Sequence, residues 1–228
     1  MARRRGVRGP EVCYNNLKKR GNGGAGVEKL YCLIIGYCFG MILTAEIVAK
    51  ILTGKSSSAL GTGNPGMANI MSQLGVKPGA AVLAGDIAKT AVPVLLCYFI
   101  FPQVGRIAML YAGLGACLGH DFPLWRGFRG GKNVTSSIVT MIGFSPVFGT
   151  LSALAGMFVV LTTGYLPIGA VVITALFAVF AFPLYGAEAG ALALALCLLT
   201  VSRHWRGVVG AMRGTEPKKM KLLGKKKK

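Results

Sequence analysis

Charge is almost absent from the middle of this chain. Of its 26 Lys and Arg residues, eight precede Leu30 and ten follow Val201, so only eight are spread over everything between. A stretch that long with so few ions cannot keep its surface in water, and it must place apolar helices in a bilayer. A helix needs about 20 mostly apolar residues to cross the hydrocarbon core. Runs of that character lie at 30–52, 79–101, 104–119, 134–163, 165–184 and 187–202, and Pro146 and Gly149 divide the fourth into two shorter helices. The expected fold is therefore an all-α, multi-pass integral membrane bundle with five to seven crossings. The 33 glycines agree, because membrane helices approach closely through small residues.

The ends and loops carry the rest of the organisation. Residues 1–28 read as a basic, Gly-rich, disordered tail without a signal-peptide pattern. Residues 29–217 form the membrane domain, and 218–228 a second basic tail. A formal charge of +19 invites nucleic acid as a partner, but the cations cluster at the ends and in short loops with no recognition motif. Anionic lipid headgroups are the expected counterpart, and no nucleic acid is expected. The six cysteines form no CxxC pair and read as packing residues. The positive-inside rule places the C-terminal tail and the 120–133 loop in the cytoplasm. It pulls the N-terminal tail to the same side, which an odd number of crossings forbids; the C-terminal assignment takes precedence.

Three polar constellations interrupt the apolar background. HDFPLWRGFRGGK (120–132) holds His120 and ends in Gly130, Gly131 and Lys132, where backbone N–H groups can approach an anion beside a cation. GTGNPGMAN (61–69) brackets Thr62, Asn64 and Asn69 with glycines, either as a phosphate cradle or as an ordinary tight turn. Asp86 and Lys89 share one helix face inside an apolar run, so they face a site or each other. Glu46 has only Lys50 as an evident partner and reads as structural. The second histidine, His204, follows the last apolar run. Two histidines 84 residues apart, with Asp121 nearby, make no metal set, and no GxSxG supports a serine triad.

Together these motifs resemble the bacterial acyl-phosphate:glycerol-3-phosphate acyltransferases of the PlsY type. The family pattern HxFPxFxxFxGGKGVAT is matched by His120, Phe122, Pro123, Trp125, Phe128, Gly130, Gly131, Lys132, Asn133 and Val134 through Ser136. GSGNxGATN is similar to Gly61–Asn69, DxxKG to Asp86–Thr90, and the closing RGxEP to Arg213–Pro217. The resemblance implies a plasma-membrane bundle of about seven helices with its site at the cytoplasmic face. It implies acyl transfer from acyl phosphate to the 1-hydroxyl of glycerol 3-phosphate, giving lysophosphatidic acid for phospholipid synthesis, with no cofactor. By the same resemblance Lys132 and His204 are catalytic. Substrate contacts fall to Thr62, Gly63, Asn64, Asn69, Lys89, His120, Gly130, Gly131, Lys132, Asn133 and Arg206.

Several positions depart from the family pattern. Ser56 and Ser58 stand where DxRxxGSGN has Asp and Arg, and Gly207 where HRxN has Asn. TGYLPIGA (163–170) replaces a stretch like TRYVSLxS. Arg126, Arg129, Arg206 and Arg213 are the cations available to compensate. Two other readings stay open: a family member that binds a phosphate without turnover, and a small transporter using Asp86, although no internal repeat supports the latter.

Overall fold

The computed structural model describes residues 26–218. The basic tails expected at 1–28 and 218–228 therefore lie outside the described residues except at their inner edges, and residues 26–28 already belong to the first helix. The described chain is helical with no strand.

The first span comprises α1 (26–40) and α2 (Thr44–Thr53), interrupted at 41–43. An interruption inside a membrane leaves backbone carbonyls that water cannot satisfy. Side chains do so instead: Trp125 Nε1 donates to Met41 O at 2.9 Å and Lys89 Nζ to Ile42 O at 2.8 Å. The expected loop 53–78 contains a helix, α3 (Met67–Leu74), and α4 (Val76–Ile100) starts directly after it at Gly75, whose φ of 97° turns the chain. Next come α5 (Ile107–Asp121), α6 (Val134–Phe144) and α7 (Pro146–Thr163). The expected division of the 134–163 run falls at Ser145–Pro146, where proline ends one helix and opens the next.

The last element, α8 (Leu166–Met212), has 47 residues. At about 1.5 Å per residue a straight helix would exceed twice the bilayer core. It is a hairpin instead: Gly186 leaves helical geometry (φ 86°, ψ 175°), and Gly207 packs on the ring of Pro167 from the other arm. The first span, α4, α5, α6, α7 and the two arms of α8 make seven helical passes among the described residues.

Close packing in the bundle depends on small residues. Gly36 and Gly40 of α1 face Ala112 and Ala116 of α5, and Gly115 and Gly119 of α5 face Leu33 and Tyr37 of α1. A Cβ on any of these four glycines would lie 1.9–2.2 Å from a carbonyl oxygen of the opposing helix. Two GxxxG stripes thus let the backbones touch. The five described cysteines are unpaired thiols and four of them are buried.

The two ends of the bundle differ in chemistry. At one end Glu188, just after the α8 turn, accepts from Tyr111 Oη (2.9 Å) and pairs with Lys29 (2.7 Å), tying together the starts of α1, α5 and the returning arm. At the other end lie the α5–α6 loop, the α2–α4 connection and the end of α8. Residues 26 and 212 therefore emerge at opposite ends of the bundle, as seven passes require.

Candidate functional site

The α5–α6 loop folds back onto the helix it leaves. Gly130 N–H donates to Asp121 O (3.0 Å) and Gly131 N–H to His120 O (2.9 Å). A Cβ on Gly131 would sit 2.0 Å from His120 Nε2, and one on Gly130 would sit 2.0 Å from His120 O. The adjacent glycines are thus needed for close approach to the end of α5. Their N–H groups are occupied within the protein, which corrects the expectation that they cradle an anion. The positive end presented to the pocket is instead the first turn of α6, entered through Asn133 in the left-handed conformation (φ 44°). Asparagine tolerates that backbone where the family pattern has glycine.

A cavity of about 130 Å³ collects the constellations. Asn64 and Gly66 come from the 61–69 turn; Asp86 from α4; His120, Lys132 and Asn133 from the α5–α6 connection; Val134, Thr135 and Ser136 from the start of α6; and His204 from α8. Neither ring nitrogen of His204 has a hydrogen-bond partner of normal geometry among the described residues, although the ring is buried and the charge of Lys132 lies beside it. His204 follows the last apolar run but remains within a helix, because α8 continues two turns beyond it. A small pocket with a lysine, a helix N-terminus, an amide and a buried imidazole is suited to an anion carrying hydroxyl groups.

Lys89 occupies a different place from the one expected. Its ammonium group meets Asp86 Oδ1 at 2.9 Å, Ile42 O at 2.8 Å and His120 Nδ1 at 2.7 Å. An ammonium group has three donors, and all three are engaged, so Lys89 orients His120 and seals the break in the first span. Thr44 Oγ1 donates to the same Asp86 oxygen (2.6 Å). Glu46 is likewise more than a partner for Lys50. It is buried and accepts from Ser57 N (2.9 Å), Ser57 Oγ (2.5 Å) and Ser56 Oγ (3.1 Å), with the Arg126 guanidinium 3.4 Å away.

Of the other expected contacts, Thr62 and Arg206 are exposed and do not line the cavity. Asn69 is buried and shapes the turn, accepting from Thr62 N (2.9 Å) and donating to Leu60 O (2.9 Å). Gly63 closes that turn through a positive φ and a bond from its N–H to Leu60 O. Among the possible compensating cations, Arg126 donates to Ser56 Oγ (3.3 Å), one of the departed positions. Arg129 and Arg213 are exposed. Two further departures touch each other: a Cβ on Gly207 would lie 2.6 Å from Pro167 Cγ. A polar position in each family stretch has thus become a shared apolar contact.

Two features escape sequence reasoning. Arg203 bonds the carbonyls of Gly130 and Gly131, and Asn133 Oδ1 accepts from Thr200 (3.1 Å) and Ser137 (3.2 Å) while its amide donates to Asp121 (2.5 Å). The i, i+3, i+4 spacing of Thr200, Arg203 and His204 was the available signal, since a lone cation at the end of an apolar helix needs a partner.

Fold and pocket together define a membrane-embedded protein with a small polar cavity at one end of a seven-pass bundle. A family profile described as glycerol-3-phosphate acyltransferase matches residues 30–214. The chain is 35% identical over 188 residues to glycerol-3-phosphate acyltransferase 1 of Lactobacillus johnsonii, covering 82% of this chain and 91% of that one. It is 32% identical over 198 residues to the Clostridioides difficile glycerol-3-phosphate acyltransferase, covering 85% and 95%. Crystal structures of PlsY, an integral membrane glycerol 3-phosphate acyltransferase, superpose with TM-scores of 0.77 for the glycerol 3-phosphate form and 0.75 for the lysophosphatidic acid form. Each is 26% identical and covers 86% of this chain and 99% of PlsY. The chain belongs to the glycerol-3-phosphate acyltransferase family and is an integral membrane protein.

Proposed function

We propose that this protein transfers an acyl chain from acyl phosphate to the 1-hydroxyl of glycerol 3-phosphate, forming lysophosphatidic acid. The observation that carries this reading is the meeting of three distant polar motifs in one cavity, where Lys132, the start of α6 and His204 are neighbours. In the reaction the hydroxyl oxygen attacks the carbonyl carbon of the mixed anhydride, the carbon–oxygen bond to phosphate breaks, and the hydroxyl proton leaves with the phosphate. An acyl phosphate is already activated, so a protein nucleophile is unnecessary. Lys132 and the α6 N-terminus stabilise phosphate charge, while His204 and Asn64 orient the acceptor.

A second, larger groove of about 380 Å³ lies beside the break in the first span, lined by Met41, Ile42, Leu43 and Ile47 with Trp125 and Lys50 at its edge. Its apolar lining supports a substrate with a long chain. Exposed Leu124, Trp125 and Phe128 share their loop with exposed Arg129, a pattern suited to an anionic lipid interface. The basic residues flanking this end support a site facing the cytoplasm in the plasma membrane. The test is direct: purified protein with palmitoyl phosphate and radiolabelled glycerol 3-phosphate, scored for lysophosphatidic acid. Product formation at least about tenfold slower in Lys132→Ala supports the reading; no product from folded wild-type protein refutes it.

A further inference from the structure

Lys132 is held on both sides by one face of the returning arm of α8. On its N-terminal side, Arg203 Nη2 donates to Gly131 O (2.9 Å) and Gly130 O (3.2 Å), and Nε donates to Gly131 O (3.1 Å). The guanidinium also stacks on Phe122, 5.0 Å from the ring centre. On its C-terminal side, Thr200 one turn away bonds Asn133 Oδ1. The loop's N–H groups go to the end of α5 and its carbonyls to α8, so the Gly-Gly turn is clamped between two helices. Glycine has the widest backbone freedom of any residue, and a turn of two needs such a clamp to present Lys132 in one place.

We propose that Arg203 is a positioning residue for the reaction: by gripping the carbonyls of Gly130 and Gly131 it sets Lys132 and the first turn of α6 beside His204. Arg203 does not line the cavity, so it acts through the loop and not on substrate. The rigid guanidinium fork reaches two carbonyls at once, which the single ammonium group of lysine cannot reproduce. Because Arg203 and His204 are neighbours on one helix, the clamp fixes the spacing between Lys132 and His204.

The inference rests on the acyltransferase reading, and the test separates the two. In the full-length protein in detergent, hydrogen exchange at amides 130–134 is measured beside kcat and KM for Arg203→Ala, Arg203→Lys and wild type. Arg203→Ala is expected to speed exchange at 130–134 at least tenfold with α5 amides 110–118 unchanged. It should also lower kcat/KM ten- to a hundredfold, with part of the loss recovered by millimolar guanidinium ion. Arg203→Lys should fall between, and it carries both readouts if the alanine variant does not fold. Unchanged exchange at 130–134 overturns the proposal, whether activity falls or not, and so does kcat/KM within threefold of wild type. An inactive wild type would refute the acyltransferase reading alone, leaving the exchange measurement to decide the clamp.

Discussion

Gly207→Asn would restore a family residue and should nevertheless damage this protein. The first side-chain carbon would lie 2.6 Å from Pro167 Cγ and 3.0 Å from Pro167 Cβ. Carbon atoms at rest sit about 3.5–4.0 Å apart, so the arms of α8 must separate locally by about 1 Å. Overpacking of this kind costs about 1–3 kcal/mol, of which a residue with better helix propensity than glycine returns less than about 1 kcal/mol. The buried amide adds roughly 1–3 kcal/mol unless it finds partners, and the nearest polar atom is Glu216 Oε1, 3.6 Å from that carbon. The net loss is about 1–6 kcal/mol, or a fall of about 2–24 °C in unfolding midpoint for a chain of this size. Pro167→Ser removes the rigid ring, and Pro167 lies in the first turn of α8 where proline is easily exchanged. The double variant should therefore be about 1–2 kcal/mol more stable than Gly207→Asn, a coupling expected only of residues that touch. Tryptophan-fluorescence melting in detergent reads all four proteins. A single variant melting within 1 °C of wild type, or a double variant equal to the sum of the singles, would refute the argument.

Other outcomes follow from the same geometry. Lys132→Ala should lower kcat/KM by roughly 10- to 150-fold, the value of one charge-assisted contact of about 1.5–3 kcal/mol, with little change in melting temperature. Gly131→Ala drives a methyl group into the His120 ring, so it should abolish activity and speed proteolysis of the 122–133 loop; an active variant would show that the loop is not packed there. Lys89→Met leaves Asp86 buried beside Thr44 without its cation and should destabilise by about 3–5 kcal/mol, whereas Lys89→Met with Asp86→Leu should recover most of that in thermal melts. Glu46→Gln weakens the junction of Ser56, Ser57 and Arg126, and should lower the melting temperature by more than Lys50→Gln at the exposed partner.

Much of this protein was determined by local chemistry along the chain. Charge depletion and run lengths were enough for a multi-pass bundle, Pro146 for the division of the fourth run, and the three motifs for the cavity walls. Those signals are legible because bilayer length, proline geometry and phosphate chemistry act on residues close in sequence. Tertiary structure alone decided which polar groups remained available. Lys89 and the N–H groups of Gly130 and Gly131 have the right chemistry for substrate, yet the break in the first span, α5 and His120 consume their hydrogen bonds. Arg203, Glu46 and the packed pair Pro167 and Gly207 take their meaning from partners as far as 81 residues away in the chain. The physical reason is satisfaction: inside a membrane bundle an unpaired backbone donor or acceptor is costly, and a linear sequence shows which groups need partners without showing which partners reach them first.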